Sequence, residues 1–178
     1  MEPWIQWISV PALVVVTPAT YAVQYLTTEQ AQHVLYSEAT QFEAQPLELS
    51  AAQKNAIEDA SGQRVRDMKP SVWRVLANGR QLGWFLVDQV IGKHEFITYA
   101  VALDMDGAVR GVEIMDYRET YGSEVRNTEW RKQFVGKRYG ATLKLGDDVK
   151  NITGATLSCR NVTHGVKRLL AMHALVLK

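Results

Sequence analysis

The chain has 178 residues, 47% apolar and 22% charged, with a formal net charge of +1. That is one domain's worth of ordinary globular composition. It excludes an intrinsically disordered chain, and so small a net charge offers no field for nucleic acid or an anionic membrane. The single cysteine, Cys159, excludes an internal disulfide and leaves the redox compartment open.

From Pro3 to Thr28 no residue is charged. Within this stretch the apolar block VPALVVV, Val10 to Val16, is followed by TPATYA, with small residues at Thr20 and Ala22. The order matches the apolar and cleavage regions of a secretory signal cut after Ala22. No Lys or Arg precedes the block, the first being Lys54. Residues 4 to 26 are also long enough to serve as a retained membrane anchor, though Pro11, Pro18, Gln6 and Gln24 interrupt them. A buried globular helix is the third reading. The first two both make residues 1–22 a signal peptide or anchor, and both place one domain, residues 23–178, in a periplasmic or other extracytoplasmic compartment.

After this segment, Thr27 or Thr28 caps an expected helix, with Glu29 and Gln30 in its first turn and Ala31, Val34 and Leu35 at helical spacing. Ser50 caps a second expected helix that runs through Ile57 and stops at Ser61-Gly62. These two helices read as a lid or packing layer. The middle is rich in strands. VWRVLA, Val72 to Ala77, meets the hairpin signal Asn78-Gly79, and Leu82 to Gly92 returns. Glu95 to Asp104 follows, and Asp106-Gly107 turns the chain into AVRGVEIMDY. About four strands joined by tight turns imply an antiparallel sheet. Trp130 and Phe134 then fall four apart on a short helix. The last helix is the clearest, with Val162, Val166, Leu169, Leu170, His173 and Leu177 at spacings of three and four. The expected fold class is therefore α+β, an antiparallel sheet with packed helices.

Just before that last helix lies TGATLS, Thr153 to Ser158, which crowds hydroxyls around a Gly-Ala pair. Read from the residues alone, two explanations stand. One is a plain helix N-cap, with Gly154 supplying a positive φ. The other is a point of attachment at the positive end of the helix.

The segment DDVKNITGATLS resembles the flavinylation motif of the FMN-binding domain family, which includes the C-type subunit of the sodium-pumping NADH:quinone reductase and the G-type subunit of the Rnf complex. The resemblance extends to Ile97–Gly122, whose strands, turn and Glu-Thr-x-Gly segment fall in the family's order, and it covers about Leu82 to Leu177. It implies FMN joined through its phosphate, as a phosphoester, to Ser158. Thr153, Gly154, Ala155, Thr156 and Leu157 form the rest of the motif, and Glu119 and Thr120 are the implied flavin contacts. It further implies a Mg²⁺-dependent flavin transferase as modifying partner, FAD as the source of the FMN, and a membrane or extracytoplasmic redox protein as electron partner. Two positions depart from the family's usual pattern: Lys150 stands where an Asp is common, and Ser158 where the acceptor is usually Thr.

The expected function is electron transfer rather than catalysis on a substrate of the chain's own, with Ser158 an attachment site and not a catalytic nucleophile. An unflavinylated binding or structural module and an enzyme with freely exchanging FMN are the alternatives. His33, His164 and His173 have no metal-ligand spacing to one another or to Cys159, so no metal site is expected. Cys159 reads as buried filler and His94 as a surface or structural turn residue. Trp73, Trp84 and Trp130 read as core, and Tyr121 as either packing or a stacking surface for the flavin ring.

Overall fold

The computed structural model describes residues 23–178. The expected signal or anchor at residues 1–22 lies outside them. The elements run β1 (Val23–Gln24), α1 (Thr28–Leu35), β2 (Gln41–Ala44), α2 (Ala51–Ser61), β3 (Ser71–Ala77), β4 (Arg80–Ile91), β5 (Phe96–Asp104), β6 (Val109–Tyr117), α3 (Thr128–Arg131) and α4 (Thr156–Met172). Among the described residues no helix is long and apolar enough to cross a membrane.

Local chemistry starts and stops the early helices as the sequence predicts. Thr27 and Gln30 form a reciprocal capping box on α1, and Ser50 and Gln53 form another on α2. Gly62 ends α2 in the left-handed region at φ +68°. The Asn78-Gly79 turn takes φ values of +50° and +76°, the pair of positive values that a two-residue hairpin requires.

The four predicted strands form, and β2 to β6 make an antiparallel meander. The full sheet order is β1-β6-β5-β4-β3-β2. β1 and β2 were not legible in the sequence: two and four residues long, they carry no alternating pattern and are held by pairing with β6 and β3. β5 is buried on both faces. Ile97, Tyr99, Val101 and Leu103 point into the larger core under α2 and α4, while Ala100 and Ala102 face the smaller core beneath α1 with Tyr36, Phe85 and Met115. The first two helices are thus packing layers on opposite faces of the sheet. Trp130 and Phe134 meet edge to face at 5.2 Å and are both buried, Trp130 in the core as expected.

The long helix α4 is fixed to the sheet by three residues on one of its faces. Asn161 Nδ2 donates to the Ile91 carbonyl at 2.6 Å. Gly165 lies so close to β5 that a Cβ there would overlap the Tyr99 hydroxyl. Arg168 Nη2 donates to Asp88 Oδ2 at 2.5 Å, and Tyr99 donates to the same oxygen at 2.6 Å. Both ion-pair side chains are largely buried, at 11% and 19% exposure, so breaking this pair leaves a charge uncompensated, which surface pairs never do. Gly165→Ala should therefore lower unfolding stability by ~1–3 kcal/mol through overpacking against Tyr99, as measured by urea denaturation.

Candidate functional site

Three segments converge at the start of α4. They are the TGATLS turn, the stretch after β6 from Arg118 to Gly122, and the turn between β4 and β5. Together Lys93, His94, Glu119, Thr120, Tyr121 and residues 154 to 158 line a cleft of about 350 Å³. Of the residues predicted from the resemblance, Gly154, Ala155, Thr156, Leu157, Ser158, Glu119 and Thr120 line it, and Thr153 sits outside the lining in the preceding turn. A larger cleft lies further along α4, floored by the Arg168–Asp88 pair, and holds none of the motif.

The segment leading to the motif is held by backbone bonds. Asp148 pairs with Lys137 and accepts from the N–H groups of Leu143 and Lys144. Burial opposes ionisation of Asp148, but these partners outweigh it and hold its pKa below the usual carboxylate range. Lys150 is pinned at both main-chain groups: its N–H donates to Gln133 Oε1 at 2.8 Å, and its carbonyl accepts from Trp130 Nε1 at 2.7 Å. Gly154 then takes φ +89°, and no protein atom crowds its Cβ position. Its glycine is required by backbone conformation.

The helix-cap reading of TGATLS does not hold. The N-cap residue is Ala155, and no side chain caps the helix. Ser158 lies in the first turn, three residues past the cap, with its side chain turned inward. Thr156 Oγ1 accepts from Asn151 Nδ2 at 3.0 Å rather than from the helix backbone. Among the described residues, no hydrogen bond uses the N–H groups of Thr156, Leu157 or Ser158. Three free donors at the positive end of a 17-residue helix form an anion-binding geometry.

Ser158 is 4% exposed, and its Oγ lies 3.0 Å from the Tyr117 hydroxyl. A buried hydroxyl left without a partner costs ~1–3 kcal/mol, so this contact is a condition of burying Ser158. Tyr117 also donates to the Tyr121 carbonyl. Burial pushes the Tyr117 pKa up, so the phenol is neutral at physiological pH and is no general base. Gly122, at φ +92°, passes so close that a Cβ would stand 2.6 Å from the Tyr117 hydroxyl and 3.0 Å from Ser158 Oγ. Tyr117 was not singled out from the sequence, and Gly122 only as the glycine of the Glu-Thr-x-Gly segment. Tyr117 is merely the last residue of a strand, and its approach to Ser158 spans 41 positions.

Glu119 does not point freely into the cleft. Its Oε1 accepts from the backbone N–H groups of Lys93, His94 and Glu95, so it ties the stretch after β6 to the β4–β5 turn. The fit needs Gly92, where a Cβ would meet Glu119 Oε1 at 2.6 Å. Burial raises the carboxyl pKa, but the three N–H donors and His94 pull it below the usual value. His94 is thus a turn residue, as expected, and also a wall of the cleft. Two apolar side chains stand open at the same place, Tyr121 at 83% and Leu157 at 41% exposure. Cys159 is fully buried and burial pushes its thiol pKa up, in keeping with filler and not with redox chemistry. Because the folded pKa of Glu119 is depressed, its contribution to stability is present above the unfolded value of about 4.3 and is lost as pH falls through the folded value. Glu119→Gln should therefore destabilise the protein at pH 7, with the difference from wild type shrinking below about pH 4 in thermal melts.

Comparison with known proteins agrees with this geometry. Residues 92–171 match the family model described as an FMN-binding domain. The G-type subunit of the ion-translocating oxidoreductase complex of Escherichia coli K12 is 34% identical over 83 residues, which is 40% of each chain. Its counterpart from Stutzerimonas stutzeri is 32% identical over 89 residues, 44% of this chain and 39% of that one. The alignments thus span about two-fifths of the length of these relatives. Two crystal structures share the fold. Shewanella oneidensis NqrC superposes with a TM-score of 0.55 at 16% identity, covering 82% of this chain and 88% of that one. The C-type subunit of the Na⁺-translocating NADH-quinone reductase from Parabacteroides distasonis gives 0.57 at 14% identity, covering 86% and 85%. The matched segment contains the β4–β5 turn, the Tyr117–Gly122 stretch and the TGATLS turn, and over it the chain is similar to the FMN-binding domain family.

Proposed function

We propose that this chain is an extracytoplasmic electron-transfer flavoprotein carrying FMN as a phosphoester on Ser158. One observation carries the reading. Ser158 lines a cleft at the start of a helix whose first three N–H groups have no protein partner among the described residues. A phosphoester on that oxygen puts negative charge at the positive end of α4.

The residues present fit such a group. The free N–H groups of Thr156, Leu157 and Ser158 and the hydroxyls of Thr153 and Thr156 are donors for phosphate oxygens. Lys93 and His94 line the cleft, and Arg160 is exposed in the second turn of α4. Tyr121 and Leu157 offer apolar surface to a flat ring. FMN, when bound, supplies reversible electron transfer. The chain's own residues hold the phosphate, orient the ring and leave it open to a partner. Ser158 has no general base beside it, its hydrogen-bond partner being the neutral phenol of Tyr117. This supports modification by a separate Mg²⁺-dependent flavin transferase drawing on FAD, and it argues against a nucleophile acting in a reaction cycle.

Residues 1–22 are then the signal or anchor that places the domain, residues 23–178, outside the cytoplasm. The relatives from Escherichia coli and Stutzerimonas stutzeri belong by name to an ion-translocating oxidoreductase complex. By analogy this chain exchanges electrons with a membrane or extracytoplasmic redox protein. A covalent tether suits a compartment where lost FMN is not replaced.

The test is the intact mass of the full chain co-expressed with a flavin transferase. The expected result is a gain of FMN minus water that disappears in Ser158→Ala. An unmodified mass with acid-extractable yellow colour would mean non-covalent FMN, and an unmodified, colourless protein would mean an unflavinylated module.

A further inference from the structure

Beyond the cleft at its start, α4 carries a basic stripe. Leu157, Arg160, His164 and Lys167 recur at spacings of three and four, which puts them on one face of the helix over ~15 Å. Leu157 lines the cleft at the start of α4. The other three, with Lys144, Thr142 and Gln63, border a second opening of about 440 Å³ that no acidic side chain lines. Among the described residues, no ion pair involves Arg160, His164 or Lys167. Lys144 has Asp147 at 3.9 Å, with both side chains mostly exposed, a contact that neutralises little. Burial and the positive charges of Arg160, Lys167 and Arg168 push the His164 pKa down, which agrees with a patch whose charge is not balanced from within.

The whole chain sets 20 Lys and Arg against 19 Asp and Glu. The stripe is therefore a local asymmetry and not one part of a basic protein. A local asymmetry orients an encounter with a complementary patch, whereas a broad anionic surface such as a membrane calls for a larger field. At the Leu157 end, exposed Tyr121 adds apolar surface beside the same cleft. A stripe of ~15 Å and that apolar tip fit together within one protein footprint of ~800 Å².

We propose that the Arg160–His164–Lys167 face of α4, with Lys144, is the docking surface for the electron partner, and that this partner presents an acidic patch beside its own redox centre. The inference rests on FMN occupying the cleft at the start of α4. The charges bring the partner alongside the helix, and Leu157 and Tyr121 meet it where the flavin is. Electrons then pass between the two centres without a bond to the partner being made or broken.

The experiment mixes the flavin-loaded chain, photoreduced without oxygen, with one of two protein acceptors in stopped flow. One is plastocyanin, an acidic copper carrier, and the other is mitochondrial cytochrome c, a basic haem carrier. Each takes one electron, Cu(II) becoming Cu(I) or Fe(III) becoming Fe(II), so a fully reduced flavin consumes two and gives its protons to water. Wild type is compared with Lys144→Glu/Lys167→Glu and with Arg80→Glu, an exposed position at the far end of β4 from the cleft. Reoxidation by dioxygen, which is uncharged, should be equal in all three. The plastocyanin rate of wild type should fall as salt is raised, and at low salt the double variant should be about tenfold slower. Arg80→Glu should stay near wild type, and cytochrome c should react faster with the double variant. A plastocyanin rate indifferent to salt, or a double variant no slower than Arg80→Glu, overturns the inference.

Amide shifts of the isotope-labelled chain, with and without flavin, are followed in parallel on adding reduced plastocyanin, inorganic phosphate or phosphatidylglycerol vesicles. Shifts at residues 160 to 167 with plastocyanin support the docking surface. The same shifts with phosphate would make it a small-anion site, and a response to vesicles alone would make it a membrane surface; both overturn the inference. A chain that takes up no flavin yet shows the plastocyanin shifts defeats the flavoprotein reading and leaves a surface for acidic proteins standing.

Discussion

The close seating of α4 on the central strands is the constraint from which the rest of the structure follows. Gly165 lets the helix approach β5 until the Tyr99 hydroxyl fills the space where a Cβ would be. Asn161 and Arg168, one helical turn to either side, then reach the β4 backbone and Asp88. A tight contact of this kind has little tolerance, since packed interiors do not deform continuously. It fixes the start of the helix against the ends of β4 and β6 and so determines which residues can meet there.

At that start, the chain leaves undone what proteins ordinarily complete. A helix this long is normally closed by a side-chain cap, and α1 and α2 of the same chain each have a capping box. On α4 the cap position is an alanine. The hydroxyls that would serve for capping are turned elsewhere, Thr156 to Asn151 and Ser158 to Tyr117. Three N–H donors of residues that line the cleft therefore have no protein acceptor among the described residues, next to exposed Tyr121 and Leu157. Uncapped donors cost stability unless water or a ligand meets them. The capped α1 and α2 thus contrast with the uncapped α4.

Much of the fold was legible because it is written in local chemistry. Thr27, Ser50 and Gly62 set helix ends through bonds spanning three or four residues, and Asn78-Gly79 sets a hairpin through its own dihedral angles. The alternation along β5 and the spacing along α4 reflect burial, which side-chain polarity reports directly. β1 and β2 were not legible, since their pairing partners lie far off in the chain and supply the order their own residues lack. Glu119 shows the same limit at the site. Its place in the Glu-Thr-x-Gly segment was readable, but its bonds to the backbone 24 to 26 positions earlier were not.

The sequence by itself determined the class of fold, the ends of most elements and the place of the TGATLS turn before an amphipathic helix. Those features depend on intrinsic propensity and on short-range hydrogen bonds. Only the tertiary structure decided that the turn is no cap. It also decided that Ser158 is buried against Tyr117, that Gly122 leaves room for the pair, and that Glu119 braces the opposite wall. Each of these is a contact between segments brought together by the packing of α4 on the sheet, and no local pattern of residues encodes the distance between two such segments.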